Sequence, residues 1–208
     1  MSEPPSIELR QNGPYLVKGL ADLRDARGGK LAAEPVMALC RCGGSSKKPF
    51  CDGTHKKIGF SSAKVADGSA DRRDTYRGKR IAIHDNRAIC AHAGLCSDGL
   101  AKVFKYGAEP WIDADGATAE AIVATIRKCP SGALSYSIDG VEHRDQARAP
   151  GITVTKDGPY AVVGRVRLDA IQGQGASSEH YTLCRCGASK SKPFCDGTHW
   201  SAGFKDGA

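Results

Sequence analysis

A 23-residue segment occurs twice in this chain and carries six of its nine cysteines in one fixed pattern. ALCRCGGSSKKPFCDGTHKKIGF, Ala38 to Phe60, returns as TLCRCGASKSKPFCDGTHWSAGF, Thr182 to Phe204. Cys40, Cys42, Cys51 and His55 map onto Cys184, Cys186, Cys195 and His199 at a constant offset of 144. Upstream, Asn12–Tyr15 (NGPY) matches Asp157–Tyr160 (DGPY) at an offset of 145. Each copy therefore spans about 55 residues, far more than a chance motif.

Within a copy the pattern is that of strands. Alternating apolar residues (Ile7 and Leu9; Ile152 and Val154) lead to a Gly-Pro turn. Second strand-like runs follow at Tyr15–Val17 and Tyr160–Val163, and the Asn-Gly and Asp-Gly steps suit a tight hairpin connection. Val36–Leu39 and Tyr181–Leu183 read as strands that run into the cysteines. Between the copies lies an unrelated segment, from about Arg72 to Arg144, with a strand signal at Lys79–His84 and another at Ala133–Ile138. Thr118–Lys128 has helical spacing, basic residues at its C-terminal end and Pro130 beyond it to stop the helix. Ala63–Asp71 and Asp145–Gly151 have the composition of linkers. The expected organisation is an α+β protein with a β-rich module over 1–65, a small α+β domain over 72–146 and a second β-rich module over 150–208.

Composition narrows the chemistry. Apolar residues make up 40% of the 208, enough for a thin core that metal could staple. An odd number of cysteines excludes a complete disulfide framework. The N-terminus MSEPPSIELR does not resemble a signal peptide and no apolar run is long enough to cross a bilayer, so the expectation is a cytoplasmic protein with reduced thiols and no membrane association. The formal charge of +7 is spread along the chain with no Lys/Arg run longer than three, and thiolate ligation would lower it further, so nucleic acid is not an expected partner.

Each repeat offers three thiols and one imidazole. Such a set can hold zinc, but zinc sites usually space paired ligands by two to four residues. Cys-x-Cys instead places both thiols on one side of an extended strand, as a shared iron would need. Cys51 and His55 would then serve a second iron from a turn, with Gly53 supplying an unusual backbone angle and Asp52 capping the short helix that follows. Both copies resemble the CDGSH iron–sulfur domain, whose pattern is C-x-C-x2-[ST]-x3-P-x-C-D-G-[SAT]-H. They match it at every position: Cys40, Cys42, Ser45, Pro49, Cys51, Asp52, Gly53, Thr54, His55 and their counterparts Cys184, Cys186, Ser189, Pro193, Cys195, Asp196, Gly197, Thr198, His199. The resemblance implies one [2Fe-2S] cluster per copy, with His55 and His199 as the single histidine ligands, and two modules paired about a pseudo-two-fold axis within one chain, most simply a monomer. Lys47, Lys48, Lys190 and Lys192 would lie beside the clusters, either as solvated loop residues or as contacts for an acidic partner.

The other cysteines, Cys90, Cys96 and Cys129, lie in CAHAGLC and KCPSGAL. Cys90 and Cys96 stand where the first and third cysteines of a C-x2-C-x2-C run would be, Ala93 takes the place of the second, and Cys129-Pro130 supplies the remote ligand. The segment resembles the divergent single-cluster ferredoxin domain. Three thiols with Ala93 at the fourth corner point to a [3Fe-4S] cluster; a [4Fe-4S] cluster completed by His92 or by an outside ligand is the alternative. No catalytic constellation emerges from the spacing, so the expectation is a non-enzymatic iron–sulfur protein. Electron transfer with a redox partner is the leading role, and delivery of clusters to apo-acceptor proteins, or redox and pH sensing, the alternative.

Overall fold

The computed structural model describes residues 3–65, 71–170 and 173–206. The first copy forms β1 (Ser6–Leu9), β2 (Tyr15–Lys18), β3 (Leu23–Arg24), β4 (Val36–Leu39) and the one-turn helix α1 (Thr54–Lys57). The middle segment forms β5 (Asp74–Arg77), β6 (Ala82–Asp85), α2 (Leu95–Gly99), α3 (Ala119–Ile126), β7 (Leu134–Ile138) and β8 (Val141–His143). The second copy repeats the first with β9 (Gly151–Val154), β10 (Tyr160–Val163), β11 (Arg167–Leu168), β12 (Tyr181–Leu183) and α4 (Thr198–Ser201). The result is α+β and strand-rich, as the sequence indicates.

The two copies share one core by exchanging short strands. Three strands of each copy make an antiparallel set, β1-β2-β4 or β9-β10-β12, and each sheet takes its fourth strand from the other copy. β11 adds in parallel to β1, with Ile7 opposite Leu168, and β3 adds in parallel to β9, with Leu23 opposite Ile152. Period-2 alternation aims Tyr15 and Val17 inward and leaves Lys18 in solvent. Ile7, Tyr15, Val17, Leu23, Leu39, Ile152, Tyr160, Val162 and Leu183 form one buried cluster drawn from both copies. Each such side chain contributes roughly 1.5–3 kcal/mol by leaving water, so neither module has a complete core alone.

The middle domain has its own antiparallel sheet, β5-β6-β7-β8, covered by α3. Ile83, Phe104, Ile112, Ile122 and Ile126 fill the space between them. Thr118 caps α3 by accepting the Ala121 N–H at 3.3 Å. The strand expected at Lys79–His84 starts later, at Ala82, because the chain turns at Gly78–Ile81 to reach the preceding strand β5, which carries little apolar signal. The domain is seated on the second module by polar contacts. Asn86 Nδ2 donates to Gln174 O at 3.0 Å, and Asp145 accepts from Ser177 and Ser178 at 2.8 and 2.9 Å. Gly132 lies so close to the second copy that an added Cβ would fall 2.9 Å from Ser177 Cβ. The Asp145–Gly151 stretch is thus tied down where its composition suggests a free linker. Residues 66–70 of the other expected linker lie outside the described residues.

Candidate metal centres

In each repeat the donor side chains stand in couples. Cys40 and Cys42 leave the end of β4 with their Sγ atoms 3.8 Å apart, and Cys184 and Cys186 leave β12 at 3.7 Å. One turn later, Cys51 Sγ lies 3.4 Å from His55 Nδ1, and Cys195 Sγ lies 3.4 Å from His199 Nδ1. Among the described residues no group of three or more His, Cys, Asp or Glu side chains closes around a single ion. A two-iron cluster requires donors grouped two and two.

The loops that hold these donors repeat as closely as the sequence does. Gly53 and Gly197 adopt φ of 87° and 82° at the start of α1 and α4, the left-handed region that glycine enters without strain. Asp52 is not the helix cap expected of it, since Gly53 holds that position. Its carboxylate instead takes the Thr54 N–H at 3.0 Å and the Ser46 N–H at 2.8 Å, and Asp196 does the same for Thr198 and Lys190. These bonds hold the Asp52 carboxyl far below the usual range. Backbone N–H groups point at sulfur, Gly44 to Cys42, Gly53 to Cys51 and Ala188 to Cys186, each at 3.4 Å. Such donors favour thiolate over thiol.

Two features of the site were not read from the sequence. Tyr15 reaches across the pseudo-two-fold to donate to Cys184 O at 2.9 Å and Pro193 O at 3.1 Å. Tyr160 returns the contact to Cys40 O at 2.9 Å and Pro49 O at 3.0 Å. Each copy thus positions the other's cysteine loop, and the signal was the tyrosine shared by NGPY and DGPY. The second feature is the arginine inside Cys-x-Cys. Arg185 is 1% exposed and donates to Gly158 O, Thr155 O and Asp206 at 2.7–2.8 Å. Arg41 is 4% exposed, leans over the Tyr15 ring and makes one 3.5 Å bond to Arg10 O.

Cys90, Cys96 and Cys129 line a cavity of about 730 Å³ in the middle domain, together with Ala93. His92 (φ 50°) turns its backbone N–H onto Cys90 Sγ at 3.4 Å, and Ser131 Oγ lies 3.6 Å from Cys129 Sγ. Burial pushes the Cys90 thiol up to about 12 and raises Cys96 as well, with the Cys129 charge adding to both. Without metal Cys90 and Cys96 therefore stay protonated, and binding a cationic core releases those protons. Asp85, 1% exposed, lines the same cavity with neither oxygen hydrogen-bonded and only the Arg87 guanidinium at 4.0 Å. Nothing in its local sequence singles it out. Three thiols lining one roomy cavity, and a thiol–thiol and thiol–imidazole couple in each repeat, fit iron–sulfur clusters.

The His92 side chain is directed at the second repeat. An added Cβ on Gly197 would lie 2.7 Å from His92 Cδ2 and 2.9 Å from its Cβ, and Trp200 Nε1 donates to His92 O at 3.2 Å. The Cys195–His199 couple is accordingly covered, at only 2% and 5% exposed, whereas Cys51 and His55 are half-buried; at the Cys-x-Cys end the order reverses, Cys42 being buried and Cys186 half-buried. At the opposite edge the two repeats touch through a β-bridge between Cys42 and Cys186. A Cβ on Gly43 or Gly187 would sit 2.5 Å from the facing cysteine carbonyl, so the contact requires glycine.

Comparison with known proteins agrees with this arrangement. Residues 12–56 and 157–200 match the family described as iron-binding zinc finger, CDGSH type, and residues 76–139 match the divergent 4Fe-4S mono-cluster family. The uncharacterized protein YjdI of Escherichia coli K12 is 43% identical over 61 residues, which cover 29% of this chain and 80% of that protein. YjdI of Escherichia coli O157:H7 matches with the same figures. The chain is therefore an iron–sulfur protein of the CDGSH family, with two CDGSH modules flanking a divergent single-cluster ferredoxin-like domain.

Proposed function

We propose that this protein is a non-enzymatic carrier of single electrons between partner proteins. The observation that carries the proposal is the contiguity of the three donor sets: Cys42 pairs with Cys186, and the Gly197 turn of the second set lies against His92, two residues from Cys90. Cys40, Cys42, Cys51 and His55 would hold one [2Fe-2S] cluster, and Cys184, Cys186, Cys195 and His199 another. Cys90, Cys96 and Cys129 would hold a [3Fe-4S] cluster, Ala93 leaving the fourth corner without a donor; [4Fe-4S] is the alternative there. Clusters of these kinds take up and release one electron at a time, and a neutral imidazole in place of a fourth thiolate raises the potential.

The chain's own residues supply what such a role needs. Buried strands hold the cysteines rigidly, and N–H···S bonds steady the thiolate charge. Ser177, Glu179 and His180 do meet, but Ser177 Oγ and Glu179 Oε2 both contact His180 Nδ1, at 2.8 and 2.9 Å, inside a closed interface. That arrangement braces a contact and offers no base to a substrate. A cytoplasmic location is part of the proposal; among the described residues no helix is long and apolar enough to cross a membrane.

Reduction of the as-isolated protein by a flavoprotein or ferredoxin reductase tests the role; no reduction at a useful rate by any such donor overturns it. Electron paramagnetic resonance of the oxidised protein decides the middle cluster, a signal near g ≈ 2.01 meaning three irons and silence four. The half-buried His55 also favours a second reading, delivery of a cluster from the first module. Incubation with apo-ferredoxin tests that reading, and absence of transfer ends it.

A further inference from the structure

The repeats are most alike at their ligands and most unlike immediately after them. Behind His55 the chain reads Lys56-Lys57-Ile58, and behind His199 it reads Trp200-Ser201-Ala202. In the second copy one edge of this surface meets the middle domain, with Trp200 Nε1 donating to His92 O and Gly197 against the His92 ring, while the rest of Trp200 stays exposed. In the first copy the equivalent surface is open. Lys47, Lys56 and Lys57 are exposed, and among the described residues none of the three has an ion-pair partner. Ile58 is 53% exposed, and its Cδ1 lies 3.1 Å from a Cβ placed on Gly44, beside Cys42 Sγ. The second copy has Ala188 and Ala202 in the corresponding places and so lacks the exposed aliphatic side chain.

We propose that the α1 face of the first module, Lys47, Lys56, Lys57 and Ile58, docks an acidic partner protein at the place where the second module docks the middle domain. This deepens the electron-carrier reading and rests on it for the identity of the partner as a redox protein. The pseudo-symmetry shows that the CDGSH turn can seat a protein loop against its glycine, two residues before the histidine. The sequence difference states what kind of surface each copy takes. Trp200 gives its one indole N–H to a loop of the same chain. Three unpaired ammonium groups around one aliphatic side chain suit a surface of carboxylates around a small apolar centre. Charge of this kind speeds encounter and lets the partner leave, as a diffusing electron carrier requires.

The probe is an acidic plant-type ferredoxin, mixed with the holo-protein at low salt and followed by NMR line broadening and by carbodiimide cross-linking of amine to carboxylate. Cross-links should map to Lys47, Lys56 and Lys57, and binding should weaken steeply with added salt. The double variant Lys56→Glu/Lys57→Glu should weaken binding by roughly tenfold or more, while Ser201→Glu on the second module leaves it unchanged. Lys56→Gln/Lys57→Gln, which removes charge without reversing it, should fall between. Cluster absorbance recorded on every variant shows that the sites remain assembled. Cross-links mapping mainly to Lys190 and Lys192, or equal weakening by Ser201→Glu, would overturn the proposal. Binding at α1 without electron exchange in either direction would overturn the electron-carrier reading and leave the docking face standing.

Discussion

The two CDGSH modules have the same candidate donors on the same turns, yet they differ in how firmly those turns are held. In the second module Arg185 is locked to Asp206 at 2.8 Å, with both side chains buried. At the corresponding place in the first module stands Ser62, which bonds Asn12 and leaves Arg41 with a buried Nε that has no partner. The second donor set is roofed by the His92 loop, and the first is half open. The two copies present like donors, and the middle domain covers the Cys195–His199 couple alone. A covered thiol–imidazole couple suits an internal position; an open one suits exchange.

Removing the arginines is the most severe way to break this comparison. Arg185→Met should cost roughly 3 kcal/mol by removing the buried cation beside Asp206, which keeps the Asp157 N–H at 3.2 Å and Lys156 at 3.9 Å, whereas Arg41→Met loses one long bond and costs about 1 kcal/mol. Denaturant midpoints measure both, and equal losses would mean that the clamp contributes nothing.

The middle domain differs from both modules in holding a buried carboxyl with no hydrogen bond. Burial, opposed by Arg87, pushes Asp85 up to about 7. The neutral acid is therefore the form that the fold favours. Its contribution is full below the unfolded value near 4, declines as pH rises towards 7 and is flat above that. Stability should fall by about 1 kcal/mol between pH 6 and 8 in the native protein. In Asp85→Asn that slope should vanish, and denaturation midpoints that keep it would assign it to another group.

Acid should separate the two modules kinetically. Below about pH 6 the histidine ligands begin to compete for protons. Burial holds His199 below the ordinary imidazole value, and its roof excludes water. Visible absorbance should therefore decay in two phases, the first module several-fold faster. His55→Cys should remove the fast phase, His199→Cys the slow one, and the double variant both. A single phase would dissolve the distinction.

The smallest effect is expected at the roof. Trp200→Phe keeps the ring and deletes the exposed hydrogen bond to His92 O, which should cost about 0.5 kcal/mol. Hydrogen exchange should quicken in the Cys90–Gly94 loop and stay unchanged in α1; quickening in both would show that the effect is not local.

The grouping of the candidate donors was legible in the sequence because the repeat displays it twice: Cys-x-Cys, Cys-Asp-Gly-Thr-His and the glycine at positive φ are local chemistry, written in consecutive residues. The strands Val36–Leu39 and Tyr160–Val163 and the helix beginning after Thr118 were legible for the same reason, since period and capping are local. β5 and β8 were not, because short, exposed strands carry little apolar pattern. Asp85 gave no signal at all: its isolation arises only when β6 is packed beside Arg87 and the three thiols. The exchange of β3 and β11 and the reciprocal reach of Tyr15 and Tyr160 depend on where the copies lie relative to each other. So does the unequal covering of His55 and His199. Sequence alone determined that this chain carries two like donor sets and one unlike. Only the tertiary structure decided that the like ones are not equivalent, because burial is set by what packs against a side chain and not by the residues beside it.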